Sequence, residues 1–199
     1  MKQKMVTPRY TLYLAEFSDI RPAEISLLEE LRQKKILYAV RDSVKTEQLL
    51  SGSFLRECLT DYGVLSETEP LSVYYNFKGK PYPESRNYYF NLSHSGEFLA
   101  AVVSREEIGV DIEERKPLKI DLSGRILNES ERLEYAGLPE ERKNDYLISV
   151  WTRKESIAKC LGEGITARLW EEQGDSFLVT TTEETEYYVS VCLRKTPEE

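Results

Sequence analysis

One histidine and three cysteines are all that this 199-residue chain offers of the side chains that most often hold borderline metals. Cys58, Cys160 and Cys192 are odd in number, far apart and without a CxxC pair. Neither a disulfide framework nor a structural zinc site is therefore expected, and a reducing compartment is the default. Nor is there an apolar run near the ~20 residues that cross a bilayer. The stretch MKQKMVTPRYTLYLAEF lacks an apolar core followed by a small-residue cleavage site, so the expectation is a cytoplasmic chain without a membrane partner. Positive charge is in deficit as well, since 27 Lys and Arg against 35 Asp and Glu leave a net charge of −8. That balance argues against non-specific nucleic-acid binding, which works through clustered cations, but it leaves room for a local basic pocket.

What is present is enough apolar material for a packed core: 40% of residues are hydrophobic and 11% aromatic, with thirteen tyrosines. The length fits one compact domain or two small ones. RYTLYLAEF (9–17) reads as an opening strand, followed by helices over about 23–35 and 44–61. For the second helix Ser43 is the expected N-cap and Gly63 the stop, with Leu50, Phe54, Leu55, Cys58, Leu59 and Tyr62 as its apolar stripe. SVYYNF (72–77), NYYFNL (87–92), EFLAAVVS (97–104) and IGVDIE (108–113) are short, β-rich and separated by turn formers, as antiparallel pairing requires. Helices return over 121–136 and 140–161, the latter opened by Pro139 and closed by Gly162. ARLW, FLVTT and EYYVSVCLR complete the chain as strands. The predicted class is α+β, in two similar halves, 1–114 and 115–199, each an antiparallel sheet packed with helices, although no sequence repeat relates them.

Several stretches carry residues able to do chemistry. On a strand, Ile108, Val110 and Ile112 point one way and Gly109, Asp111 and Glu113 the other, which sets two carboxylates side by side, ~6.5–7 Å apart. That face is either solvated, the usual fate of charge, or a Mg²⁺ site, because this hard ion takes carboxylate oxygens and leaves positions for water and phosphate. Gly109 leaves room for a ligand to approach the backbone. On the 140–161 helix the stripe is Leu147, Val150, Trp151, Ile157, Ala158 and Leu161; Lys154 falls in its middle, Glu155 on its border and Lys159 one turn beyond Glu155. Lys154 either snorkels to the surface or, with Glu155, serves a ligand or metal, since unpaired buried charge is costly. Glu155 and Lys159 equally make an ordinary i, i+4 pair. FNLSHS (90–95) ends a strand with hydroxyls on both sides of the only histidine, which suits either anion binding or a turn closed by serine–backbone bonds. No G-x-S-x-G elbow is present. Gly79-Lys80-Pro81 sets a cation in a turn.

Read in order, GKP (79–81), FNLSHS (90–95), IGVDIE (108–113) and WTRKESIAK (151–159) resemble the motif blocks of the 4′-phosphopantetheinyl transferases, specifically the longer Sfp-type, over about residues 74–165. The resemblance implies a monomer of two similar α+β halves related by a pseudo-twofold, with coenzyme A in the cleft between them. It implies transfer of the phosphopantetheine arm of coenzyme A to a serine of an apo acyl or peptidyl carrier protein, assisted by Mg²⁺, with Mn²⁺ as the alternative ion. Carried over by residue, it makes Asp111, Glu113 and Glu155 the metal ligands. Lys159 would face the leaving bisphosphate, and Glu155, or a water held by Glu155 or Glu113, would be the base; Asp111, Glu155 and Lys159 form the catalytic set. Lys80, Ser93, His94, Lys154 and Lys159 would contact the phosphates. Two positions depart from the pattern. Glu47 stands near a cation that grips the 3′-phosphate in the family, for which Lys45 or Arg41, with Lys34 or Lys35, is the substitute, and Glu163 stands where a lysine is frequent. Two other readings stay open: a Mg²⁺-dependent nucleotide phosphohydrolase built on the same carboxylates, and a catalytically weak relative that binds coenzyme A or a partner protein.

Overall fold

A computed structural model describes residues 2–118, 122–163 and 176–195. An exposed first strand, β1 (Gln3–Val6), pairs antiparallel with β2 (Tyr10–Glu16). Helices α1 (Glu30–Tyr38) and α2 (Asp42–Asp61) follow, then a small hairpin of β3 (Val73–Tyr75) and β4 (Pro81–Pro83). β5 (Tyr89–Ser95), β6 (Phe98–Ser104) and β7 (Ile108–Glu114) come next. The chain continues through α3 (Ser123–Ile126), α4 (Glu129–Gly137) and α5 (Glu140–Leu161) to β8 (Phe177–Glu183) and β9 (Tyr187–Arg194).

The strands form a four-stranded antiparallel sheet in the order β1-β2-β6-β5 and a three-stranded one in the order β7-β9-β8. Because strand side chains alternate, β6 feeds two cores at once. Leu99, Ala101 and Val103 join Phe54, Leu55 and Leu59 of α2, whereas Phe98, Ala100 and Val102 meet Ile108, Val110, Ile112 and Val191 of the second sheet. Ile157, Ala158 and Cys160 of α5 cover the outer face of that second sheet beside Cys192. The layering is helix, sheet, sheet, helix, an α+β architecture of antiparallel sheets packed against helices, as expected; the two sheets differ in size, four strands against three.

Several boundaries move for local physical reasons. β1 was not anticipated, since its four residues are all exposed and carry no alternation of burial. The first helix starts at Glu30, after a separate 3₁₀ turn at Ile25–Leu27. Ser43 lies inside α2, whose N-cap is Arg41. The 121–136 region divides into α3 and α4 because Asn128 caps a new helix, its side chain accepting from the Glu131 N–H while Glu131 bonds back to the Asn128 N–H. Gly162 ends α5 in the left-handed region, φ 66°. ARLW falls outside the described residues. β7, which a division at residue 114 places with the N-terminal half, hydrogen-bonds along its length with β9. No described helix is long and apolar enough to cross a membrane.

Candidate functional site

Of the carboxylate pair of β7, Asp111 is buried away from water and Glu113 is half-buried. Gly109 shares its face, but what approaches the Gly109 backbone is α5 rather than a ligand: a Cβ there would lie 2.2 Å from the Ser156 carbonyl oxygen and 2.3 Å from the Cys160 nitrogen. The helix thus lies directly on the strand and shields Asp111, which is 3% exposed.

From the other side, alternate residues of β5 reach β7. Asn91 accepts the Val110 N–H at 3.0 Å, Ser93 Oγ donates to Asp111 Oδ1 at 2.8 Å, and Ser95 Oγ donates to Glu113 Oε2 at 2.7 Å. α5 supplies the remaining donors. Lys159 Nζ stands 2.6 Å from Asp111 Oδ1 and 2.7 Å from Ser93 Oγ, and Trp151 Nε1 donates to Glu113 Oε1 at 3.0 Å. Asp111 Oδ2 is buried and has no hydrogen-bond partner among the described residues.

Burial pushes the Asp111 carboxyl up to about 7, against the pull of Lys159 and with a further push from Glu113. Burial also raises Glu155, opposed by Lys159 and reinforced by Glu113. Three carboxylates and one ammonium therefore share one field. Glu155 and Lys159 line a cavity of about 230 Å³ with Lys78, Lys80, Asn91 and Gly162. A second cavity, about 240 Å³, is bounded by Arg32, Lys35, Gln48, Ser51 and His94, and adjoins the first across Asn91 and Leu92.

The structure thus gathers Asp111, Glu113, Glu155, Lys159 and Ser93 in one region, and it sends the other anticipated residues elsewhere. Lys80 is buried and its Nζ is bonded to the Cys160 carbonyl at 2.6 Å, near the C-terminal end of α5, so the cation is occupied by the helix although its stem borders the cavity. Lys154 is 1% exposed and does not reach the cluster: its Nζ donates to Ile126 O at 2.6 Å and to Glu131, tying α3 and α4 to α5. Lys45 is half-buried on α2, its Nζ 3.4 Å from Asp42. His94 is exposed on the second cavity, with its Nε2 3.5 Å from Glu47, the acid that replaces the expected cation. Lys35 rather than Lys34 lines that cavity, Lys34 being paired with Glu30. Among the described residues, no three His, Cys, Asp or Glu side chains form a closed cluster able to hold a metal.

Sequence reasoning missed Asn91, Ser95, Trp151 Nε1 and Glu131 as parts of this framework. The period-two spacing of Asn91, Ser93 and Ser95 was the available signal for the first two, and the Asn128-x-x-Glu131 box was the signal for the last.

Comparison with known proteins bears on what this arrangement does. Residues 107–199 match the family model described as the 4′-phosphopantetheinyl transferase superfamily. The chain is 33% identical over 120 residues to the 4′-phosphopantetheinyl transferase ffp of Bacillus subtilis, covering 60% of this chain and 51% of that protein. It is 32% identical over 102 residues to the 4′-phosphopantetheinyl transferase Sfp of Bacillus subtilis strain 168, covering 51% and 43%. To the 4′-phosphopantetheinyl transferase AcpT of Escherichia coli K12 it is 33% identical over 122 residues, covering 58% and 63%. The chain spans about half the length of the curated relatives it matches.

Proposed function

We propose that this chain, which belongs to the 4′-phosphopantetheinyl transferase superfamily and is related to its Sfp-type branch, moves the phosphopantetheine arm of coenzyme A onto a serine of an apo acyl or peptidyl carrier protein. The observation that carries the reading is the cluster of Asp111, Ser93 and Lys159 set beside Glu155 at a cavity with a lysine-rich rim. Such a cavity suits a diphosphate: cations neutralise its charge, and a carboxylate of raised pKa stands by to take a proton. On this reading the chain works as a monomer in the cytoplasm.

The residues also fit a hard divalent cation. Asp111 presents a buried, unpartnered oxygen, and Glu113 raises both Asp111 and Glu155, a repulsion that a cation would relieve. Mg²⁺ is commonly held by one or two carboxylates together with substrate phosphates rather than by an all-protein cage, so Asp111, Glu113 and Glu155 would hold it with the diphosphate, and Mn²⁺ would serve in its place. When bound, it would supply charge neutralisation at the phosphoryl oxygens.

The chain's own residues then divide the work. Lys159, held at the Asp111 edge by two hydrogen bonds, faces the oxygen that leaves with the adenosine bisphosphate and stabilises its growing charge. Glu155, or a water held by Glu155 or Glu113, accepts the proton of the attacking serine hydroxyl. Ser93 and His94 lie along the phosphates. Lys80 and Lys154 act from behind as supports of α5.

The test is the intact mass of a panel of apo carrier proteins incubated with this chain, coenzyme A and Mg²⁺, with Asp111→Ala as control. A gain of one phosphopantetheine arm, absent in the control, supports the transferase; no gain on any carrier rejects it. A catalytically weak, coenzyme A-binding relative is the second reading, and Glu47 favours it by setting a carboxylate 3.5 Å from His94. Its mark would be coenzyme A binding without any modified carrier.

A further inference from the structure

β5 and β7 belong to different sheets and exchange no backbone ladder. They are joined instead by side chains at every second residue of β5: Asn91 to the Val110 N–H, Ser93 to Asp111, and Ser95 to Glu113 and, as acceptor at 3.2 Å, to the Glu114 N–H. The two-residue repeat of the hydroxyls matches that of the carboxylates, so each serine is in register with one acid. Ser93 shares its acid with Lys159, whereas Ser95 has Glu113 to itself on this side of the seam.

The Ser95 hydroxyl has one proton, and it is spent on Glu113 Oε2; its oxygen is occupied by the Glu114 N–H. The opposite oxygen of Glu113 takes the Trp151 indole N–H from α5. Two donors on two elements thereby fix the position and rotation of one carboxylate. A carboxylate has about four lone-pair sites, so both oxygens keep acceptor capacity for a cation after these bonds are made. Ligating carboxylates are characteristically held in this way by outer hydrogen bonds, and losing such a support typically costs about 10–100-fold in metal affinity.

We propose that Ser95 is a positioning residue for the Glu113 carboxylate, which it holds, opposite Trp151, in the orientation that receives the divalent cation. The inference rests on the metal-binding reading given under the proposed function. Ser95 lies outside the 107–199 segment that matches the family model, whereas Glu113 lies inside it. A residue of the first sheet therefore sets the geometry of an acid in the second, so the match to 107–199 does not itself contain every group on which its carboxylates depend.

The experiment titrates Mn²⁺ against the full chain in the presence of coenzyme A, reading free Mn²⁺ by electron paramagnetic resonance and subtracting what coenzyme A holds alone. Ser95→Ala is expected to weaken Mn²⁺ retention by roughly 10–100-fold, Ser95→Thr to retain it like the parent chain because the hydroxyl is kept, and Trp151→Phe to weaken it in the same direction. Circular dichroism checks that each variant folds, and if Ser95→Ala does not, Trp151→Phe decides. Equal Mn²⁺ retention by the parent chain and the folded deletion variants overturns the inference alone. A parent chain that retains no Mn²⁺ beyond that of coenzyme A overturns the metal reading and this inference with it.

Discussion

Lys159 Nζ lies 2.6 Å from Asp111 Oδ1, pairing a cation near the end of α5 with a carboxylate that is 3% exposed on β7. The strand would not tolerate the Asp111 charge alone at that depth, because burial strips it of solvation, whereas the Lys159 side chain is 29% exposed and comes to it from the edge. The pairing is incomplete on one side, since Lys159 serves Oδ1 while Oδ2 has no partner among the described residues. Asp111 is consequently left close to the point at which a proton, a lysine and an arriving cation compete for it.

The first consequence is a stability that depends on pH. Asp111 is raised from the ordinary carboxylate value of 3.8 to about 7 in the folded chain. The folded state therefore holds this proton more tightly than the unfolded state, and the stabilisation from Asp111 is full below about pH 4 and lost as pH rises through about 7. With chelator present, the stability of the parent chain minus that of Asp111→Asn should fall across that window, by up to a few kcal/mol, and stay level above it. Urea unfolding at a series of pH values measures this, and a difference that rises with pH would contradict the assignment.

Lys154 should prove a structural rather than a ligand-binding lysine. Its ammonium is bonded to the Ile126 carbonyl and to Glu131, which itself caps α4. Lys154→Met leaves Glu131 without its most buried partner, at a cost of about 3 kcal/mol or more, which lowers the melting temperature by roughly 10 °C for a chain of this size. Adding Glu131→Gln should recover part of the loss. Below the transition, the coenzyme A concentration required for half-maximal rate should not change; a several-fold rise would return Lys154 to the phosphate site.

The contrast between Lys154 and Lys159 explains how much could be read in advance. Lys154 sat in the apolar stripe and Lys159 beyond its border, on a helix whose stripe and ends were legible from Leu147, Val150, Ile157, Pro139 and Gly162, because helical periodicity and capping are local properties. The same locality made the alternation of Ile108, Val110 and Ile112 a sound guide to β7, and FLAAVVS an unmistakable buried strand. Which partner each lysine met depended on Ile126 and Glu131 for Lys154 and on Asp111 and Ser93 for Lys159, all more than 20 residues away, and no periodicity encodes that choice. Gly109 failed for the same reason: a small residue reports that something comes close, but whether it is a ligand or a helix is decided by tertiary packing. β1 escaped because a short, fully exposed edge strand has no burial pattern to betray it.

Gly109→Ala tests that packing directly. The new methyl would meet two backbone atoms of α5, Ser156 O at 2.2 Å and Cys160 N at 2.3 Å, and neither can rotate away as a side chain could. Relief requires lifting the helix from β7, so destabilisation should reach or exceed the ~3 kcal/mol typical of severe overpacking. Chemical unfolding is the measurement. A loss below about 1 kcal/mol would mean that α5 rides more loosely on the strand than its close approach indicates.

Lys159→Ala separates the catalytic and structural sides of the same pairing. Removing the ammonium withdraws the donor proposed to stabilise the leaving bisphosphate, and loss of one such preorganised donor typically costs 10²–10³ in turnover, about 3–4 kcal/mol of transition-state stabilisation. It also leaves Asp111 to its own burial, so the carboxyl should titrate still higher, as the two Lys159 contributions that now lower it disappear. Carrier modification should therefore show a lower maximal rate and a higher coenzyme A requirement together, while Lys159→Arg, which keeps the charge on a differently shaped head, should recover the coenzyme A requirement more than the rate. Unchanged kinetics in Lys159→Ala would remove this lysine from the reaction and reduce its bond with Asp111 to a support for α5.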